Sequence, residues 1–252
     1  MQDDFAAKGY LSSDITSYRE SVREEFAAEF DETAALSDRA HRLILNIPVD
    51  EQLVIPLTAT IFLERTVRSC QAAFLLSERG LTQEAQVLVR TATENLFVGA
   101  ALLVDDRVFN QLALSSDHEE TVHARGMMKI FADSLTPERS AILQSVVDRA
   151  HPKATKYPIY NAARTAGLTN LYETFYRGLS GKASHATLRS LDTSFTEKDG
   201  KLTLISGPSE KELSFTLGTI RTCLKEAIRQ SGILSKRANG SASPSGLSGP
   251  AL

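Results

Sequence analysis

From about residue 12 to residue 190, apolar side chains recur every three or four positions, and alternation of period two is nearly absent. This rhythm predicts an all-α fold, a multi-helix bundle built around one long antiparallel helix pair. "SSDITSYRESVREEFAAEF" opens on a capping Ser/Asp and starts an amphipathic stretch that reaches Ile47, with a break near Asp31. A second helix is predicted from Asp50 to Arg79, with Pro56 tolerated in its first turns. Gly80 then caps it, and Thr82 begins a third helix that ends near Asp105 and Asp106. Shorter helices follow over 107–115, 117–134, 137–150, 159–166, 169–178 and 184–191.

One segment breaks the rhythm. "TSFTEKDGKLTLIS" alternates around Asp199 and Gly200, which predicts a small β-hairpin over 193–206, ahead of a last helix over 209–232. Beyond it, "RANGSASPSGLSGPAL" lacks periodicity and is too poor in apolar surface to order itself, so a disordered tail is expected over 235–252. The expected organisation is a single helical domain over 1–234, with an N-terminal region 10–50 and a core bundle 51–192.

Composition narrows the class. At 252 residues, with 42% hydrophobic and 23% charged content, the chain has ordinary globular composition and enough length for one large domain. The opening "MQDDFAAKGY" is acidic where a secretory leader is basic, and the longest apolar run, Leu96 to Val104, falls far short of the roughly 20 residues that span a bilayer. A cytoplasmic protein without membrane contact is expected. Cys70 and Cys223 belong to no metal or redox motif, which makes them buried free thiols.

Charge redirects attention to one region. Residues 1–50 carry eleven Asp/Glu against five Lys/Arg, whereas 149–191 carry seven Lys/Arg against Glu173 alone. Tyr157, Tyr160, Tyr172, Phe175 and Tyr176 are interleaved with those cations, as in surfaces that bind RNA or another phosphate-bearing ligand. A solvated basic face that offsets the acidic N-terminal helices is the plainer reading. Within this segment, "YRGLSGKASH" gathers Tyr176, Arg177, Ser180, Lys182 and His185.

The long helix pair adds Glu64, Arg68, Arg90 and Glu94 on stripes otherwise apolar. Folding back about Gly80 pairs positions whose numbers sum to roughly 161, so Arg68 is expected near Glu94 and Gln71 near Arg90. Such a buried lattice either fixes helix register or lines a ligand pocket. Other motifs fall away. "GLSGKAS" lacks the spacer of a phosphate loop, His118 and His123 point about 140° apart on a helix, and Ser180 or Ser184 has no nucleophile elbow. No metal or cofactor is expected.

The run "ERTVRSCQAAFLLSERGLTQEAQVLVRTATENLFVGAALL", followed by "FYRGLSGKASHATLRS", resembles a bacterial helical domain family of unknown function over roughly residues 55–190. Its features here are the Gly-turned helix pair, Arg90 and Glu94, and the Tyr176, Arg177, Ser180, His185 signature. "YRGLSGKASH" also resembles, more weakly, the HEPN class of helical ribonucleases, whose Arg and His stand four to six residues apart where Arg177 and His185 have seven between them. That second resemblance implies a homodimer of a defence or toxin system that binds RNA or cleaves it without metal, with His185 moving the proton and Arg177 holding the phosphorane charge in the cleaving case. The alternative is a non-enzymatic module that binds a partner protein or small anionic ligand through the Arg90/Glu94 pocket and the Arg177 to His185 turn, with Tyr176, Ser180 and Lys182 as further ligand-binding residues.

Overall fold

The computed structural model describes residues 3–48, 53–181, 187–192, 194–198 and 200–241. It is all-α apart from one hairpin. The helices are α1 (Asp3–Lys8), α2 (Asp14–Glu25), α3 (Ala27–Leu45), α4 (Val54–Ser77), α5 (Thr82–Leu102), α6 (Arg107–Ile130), α7 (Pro137–Arg149), α8 (Ile159–Thr165), the short α9 (Thr169–Leu171) and α10 (Arg177–Leu179), and α11 (Leu213–Ser241). Strands β1 (Phe195–Lys198) and β2 (Lys201–Leu204) pair antiparallel, with Phe195 opposite Leu204 and Lys198 opposite Lys201.

The α4–α5 pair is the centre of the molecule. Gly80 makes the reversal at φ +72°, and a Cβ there would lie 2.6 Å from Pro208 Cβ, so the turn needs glycine for both conformation and space. Gly99 lets the two helices approach closely, because a Cβ would stand 3.2 Å from that of Phe62. From Asn95 to Leu102 every residue of α5 is buried, as expected of a helix covered on all sides. Helices α3 and α11 close over this pair, and Cys70 of α4 meets Cys223 of α11 as free, fully buried thiols. Their mutual hydrogen bond, reinforced by burial, raises the Cys70 thiol well above its usual range.

Several boundaries differ from the sequence pattern. The N-terminal helix breaks at Phe26 rather than near Asp31, and α1 precedes it. Helix α6 runs unbroken through Ser115, where two helices were expected. Buried Ser115 turns its hydroxyl to accept from the Tyr157 N–H at 3.0 Å, so packing overrides a weak serine propensity. The last helix starts at Leu213, after Glu212 at φ +65°, and continues to Ser241. Buried Leu234 carries it past the expected end at 232, so residues 235–241 are helical where a tail was expected. Residues 242–252 and Asp199 of the hairpin turn lie outside the described residues.

The expected Arg68–Glu94 and Gln71–Arg90 contacts do not form. Arg68 is 70% exposed and pairs at 3.5 Å with Glu64 of its own helix, while Gln71 donates to Ser37 Oγ. The buried stripe of α4 is Ala59, Leu63, Val67, Cys70 and Ala73, whose small and branched side chains fit the close α5 contact. This rolls Ile61, Glu64, Arg68 and Leu75 to the outside.

Candidate functional site

The segment after α8 is wound unusually. Between α9 and α10, Tyr172–Tyr176 adopts i→i+5 winding, shown by the Arg177 N–H donating to the Tyr172 carbonyl. Such wide turns are rare and recur at functional sites because they re-aim one side chain. Here the re-aimed side chain is Tyr176, whose ring stacks on Tyr172 at 5.0 Å and meets Phe97 edge-on at 6.1 Å. Tyr160 closes the aromatic run against Tyr172 at 5.1 Å. The rings expected to stack on bases therefore serve mainly as core, with Tyr160 the exposed member at 41%.

Tyr176 brings its hydroxyl to α5 and completes a polar node. Arg90 Nε donates to Ser180 Oγ at 2.8 Å, and Arg90 Nη2 donates to Tyr176 Oη at 2.7 Å while lying 3.1 Å from Glu94 Oε1. Tyr176 in turn donates its hydroxyl proton to Glu94 Oε1 at 2.8 Å. Ser180 donates to the Tyr176 carbonyl at 2.9 Å, which locks the two residues of α10's flanks together. The Arg90 guanidinium also lies over the Tyr176 ring at 4.7 Å, a cation–π contact.

Electrostatics follow from this geometry. Burial, the hydrogen bond to Glu94 and the charge of Glu94 push the Tyr176 phenol up to about 12, with Arg90 pulling the other way. Tyr176 therefore stays protonated at neutral pH and acts as a donor. The node is half open, since the side chains of Arg90 and Glu94 are 20% and 33% exposed. Among the described residues, Arg90 Nη1 and Glu94 Oε2 make no hydrogen bond.

Four of the expected site residues thus meet: Arg90, Glu94, Tyr176 and Ser180. Arg177 points away into solvent and pairs at 3.0 Å with Glu173 one turn earlier. Lys182 and His185 lie outside the described residues. On either side of them the chain is anchored, as Thr187 Oγ1 donates to the Gly181 carbonyl at 2.8 Å and Gln83 of α5 donates to the Ser190 carbonyl at 2.8 Å. Among the described residues no group of three or more His, Cys, Asp or Glu could hold a metal ion, and no helix is long and apolar enough to cross a membrane.

A second charged cluster escaped the sequence reading. Glu78, only 1% exposed, accepts from Arg19 Nε at 3.0 Å and from Arg23 Nη1, tying α2 to the end of α4. Arg23 also lies over the rings of Phe30 and Phe74 at 5.3 and 5.6 Å. The i, i+4 spacing of Arg19 and Arg23 was visible, but nothing in the sequence points to Glu78 as their partner.

A family model described as a family of unknown function (DUF5677) matches residues 57–202, which take in most of α4, all of α5 and the node. No curated protein and no solved structure matches the chain. The match agrees with the expected uncharacterised helical family, and none points to the HEPN class.

Proposed function

The chain belongs to DUF5677, a family whose name assigns no activity, and from its own site we propose a helical module that binds a small polar ligand at the Arg90–Glu94–Tyr176 node. One observation carries this reading: the node pairs its own charges yet, among the described residues, leaves a donor at Arg90 Nη1 and an acceptor at Glu94 Oε2. A ligand that offers an acceptor beside a donor, as an amide or a nucleobase edge does, satisfies both. A bare anion suits the node less well, because Glu94 already neutralises Arg90 and would repel it. This narrows the expected anionic ligand to one that also donates. The Tyr176 phenol, pushed up to about 12, stays protonated at neutral pH and serves the node as a fixed donor, which favours binding over catalysis.

The test is isothermal titration and thermal shift with nucleosides and simple amides, against inorganic phosphate. Binding should vanish in Arg90→Met and Glu94→Ala, and at a hundredfold excess over Kd the ligand should add about 2.7 kcal/mol of stability to the wild type. Equal binding by both variants would overturn the assignment.

Metal-independent RNA cleavage is the second reading, favoured by the exposure of Arg177, 64%, on the turn before Ser180. In it, Arg177 gives up Glu173 for a phosphate, and His185 supplies the group that titrates near neutrality. RNA cut in chelator by the wild type and left intact by His185→Ala would support it. Intact RNA in both would remove it.

A further inference from the structure

Helices α6 and α7 form an arm that leaves Val122, Ile130, Phe131 and Ile142 open to solvent. Helix α7 packs against α6, and none of its residues is buried. Along α6 only Val108, Ser115, Thr121 and Ala124 are buried. Toward the tip, Val122 is 54% and Ile130 75% exposed, and a Cβ added at Gly126 would meet nothing within 4 Å.

Spacing puts Glu119, Val122, Gly126 and Lys129 on one stripe, in the three-four-three rhythm of a helix seam. Thr121 and Ala124, buried beneath the arm, occupy the other side of α6. Glu119 and Lys129 make no ion pair among the described residues, whereas neighbouring Glu120 reaches Arg149 of the same arm at 3.8 Å.

We propose that this stripe is where a second copy of the chain docks, α6 lying antiparallel on its mate. Charge order selects that partner. On the stripe the acidic Glu119 precedes the basic Lys129, with Arg125 at its edge, so an antiparallel copy sets opposite signs face to face. A two-fold axis at the level of Ala124 places Glu119 opposite Lys129 and Val122 opposite Gly126, twice over, since both pairs of numbers sum to 248. Each valine fills the space that the facing glycine leaves. His123 and Arg125 flank the seam at its edges, where solvent screens them. Over 107–149 the arm as a whole carries six carboxylates against five Lys/Arg, a balance that suits a copy of itself better than a polyanion.

The experiment is sedimentation equilibrium on the full chain. The wild type should dimerise, and Glu119→Lys and Lys129→Glu should each raise the dimer Kd about tenfold or more by facing like charges. The double variant should restore the wild-type Kd, and an equimolar mixture of the two single variants should form the heterodimer in preference to either homodimer. Gly126→Leu should abolish the dimer while circular dichroism shows helix content undiminished, because leucine is the better helix former. A monomeric wild type overturns the proposal and leaves the arm to another partner. So does a dimer indifferent to the charge reversals or to Gly126→Leu.

Discussion

Two clusters in this protein use the same residue types, arginine, glutamate and an aromatic ring, for different ends. At the end of α4, Glu78 is 1% exposed and accepts from two arginines, with Arg23 sandwiched against phenylalanines that offer no further polar contact. On α5, Glu94 is 33% exposed, holds one arginine and one tyrosine through a single oxygen, and among the described residues keeps the other oxygen open. The difference teaches that a buried glutamate with both oxygens taken can only hold structure. A half-exposed one with spare valence can also recognise something. Tyrosine replaces phenylalanine at the second cluster, and its hydroxyl couples the ion pair to the wide turn of 172–176.

The largest expected effect separates the clusters by stability. Glu78→Ala should cost about 3 kcal/mol in urea unfolding, because two arginines lose their shared acceptor at a buried site, with some relief from their partial exposure. An unchanged midpoint would show that the cluster is not structural. Glu94→Ala should cost only about 1 kcal/mol, since water reaches Arg90, yet abolish ligand binding at the node. Equal stability losses at the two sites would erase the distinction.

Smaller effects sharpen it. Tyr176→Phe removes the donor to Glu94 and the acceptor of Arg90 and should lower stability by about 1 kcal/mol at pH 7. In the wild type the Tyr176 phenol is raised from 10.0 to about 12. Its contribution is therefore complete below pH 10 and is lost as pH rises through the folded value near 12. Urea midpoints at pH 9 and pH 11 should fall less steeply in Tyr176→Phe than in the wild type, and parallel slopes would contradict the burial of this phenol. Some slope will persist, because burial, aided by Glu210, also pushes Tyr18 up to about 12. Tyr18 carries the smallest effect: its hydroxyl is buried with no partner among the described residues, so Tyr18→Phe should leave stability unchanged or raise it by up to about 1 kcal/mol. A clear loss there would reveal a hidden partner.

The helices were legible because long amphipathic stretches bury one face whatever their neighbours. Thr82 and Gly80 mark their own boundaries, and the Asp199–Gly200 alternation marks the hairpin. The wide turn at Tyr172–Tyr176 was not legible, since no residue there breaks a helix and the winding is set by where Tyr176 must reach. Of the site, Arg90 and Glu94 were readable as charges on an apolar seam, and Tyr176 and Ser180 as parts of a dense polar motif. Their union was not. The summing rule for an antiparallel pair gives the level at which residues meet but not the roll of each helix, so Arg68 was placed inward when packing turns it to solvent.

What the sequence alone determined is the all-α class, the reversal at Gly80 and the chemistry available on α5 and in the 176–185 motif, because propensity, periodicity and positive φ act within a few residues. What only the tertiary structure decided is which charges meet. Arg90 finds Ser180 and Tyr176 across about ninety residues, and Glu78 finds Arg19 across fifty-nine. These contacts depend on helix roll, and helix roll is chosen by the fit of small side chains such as Ala59, Ala73 and Gly99 in the α4–α5 seam rather than by the charges themselves.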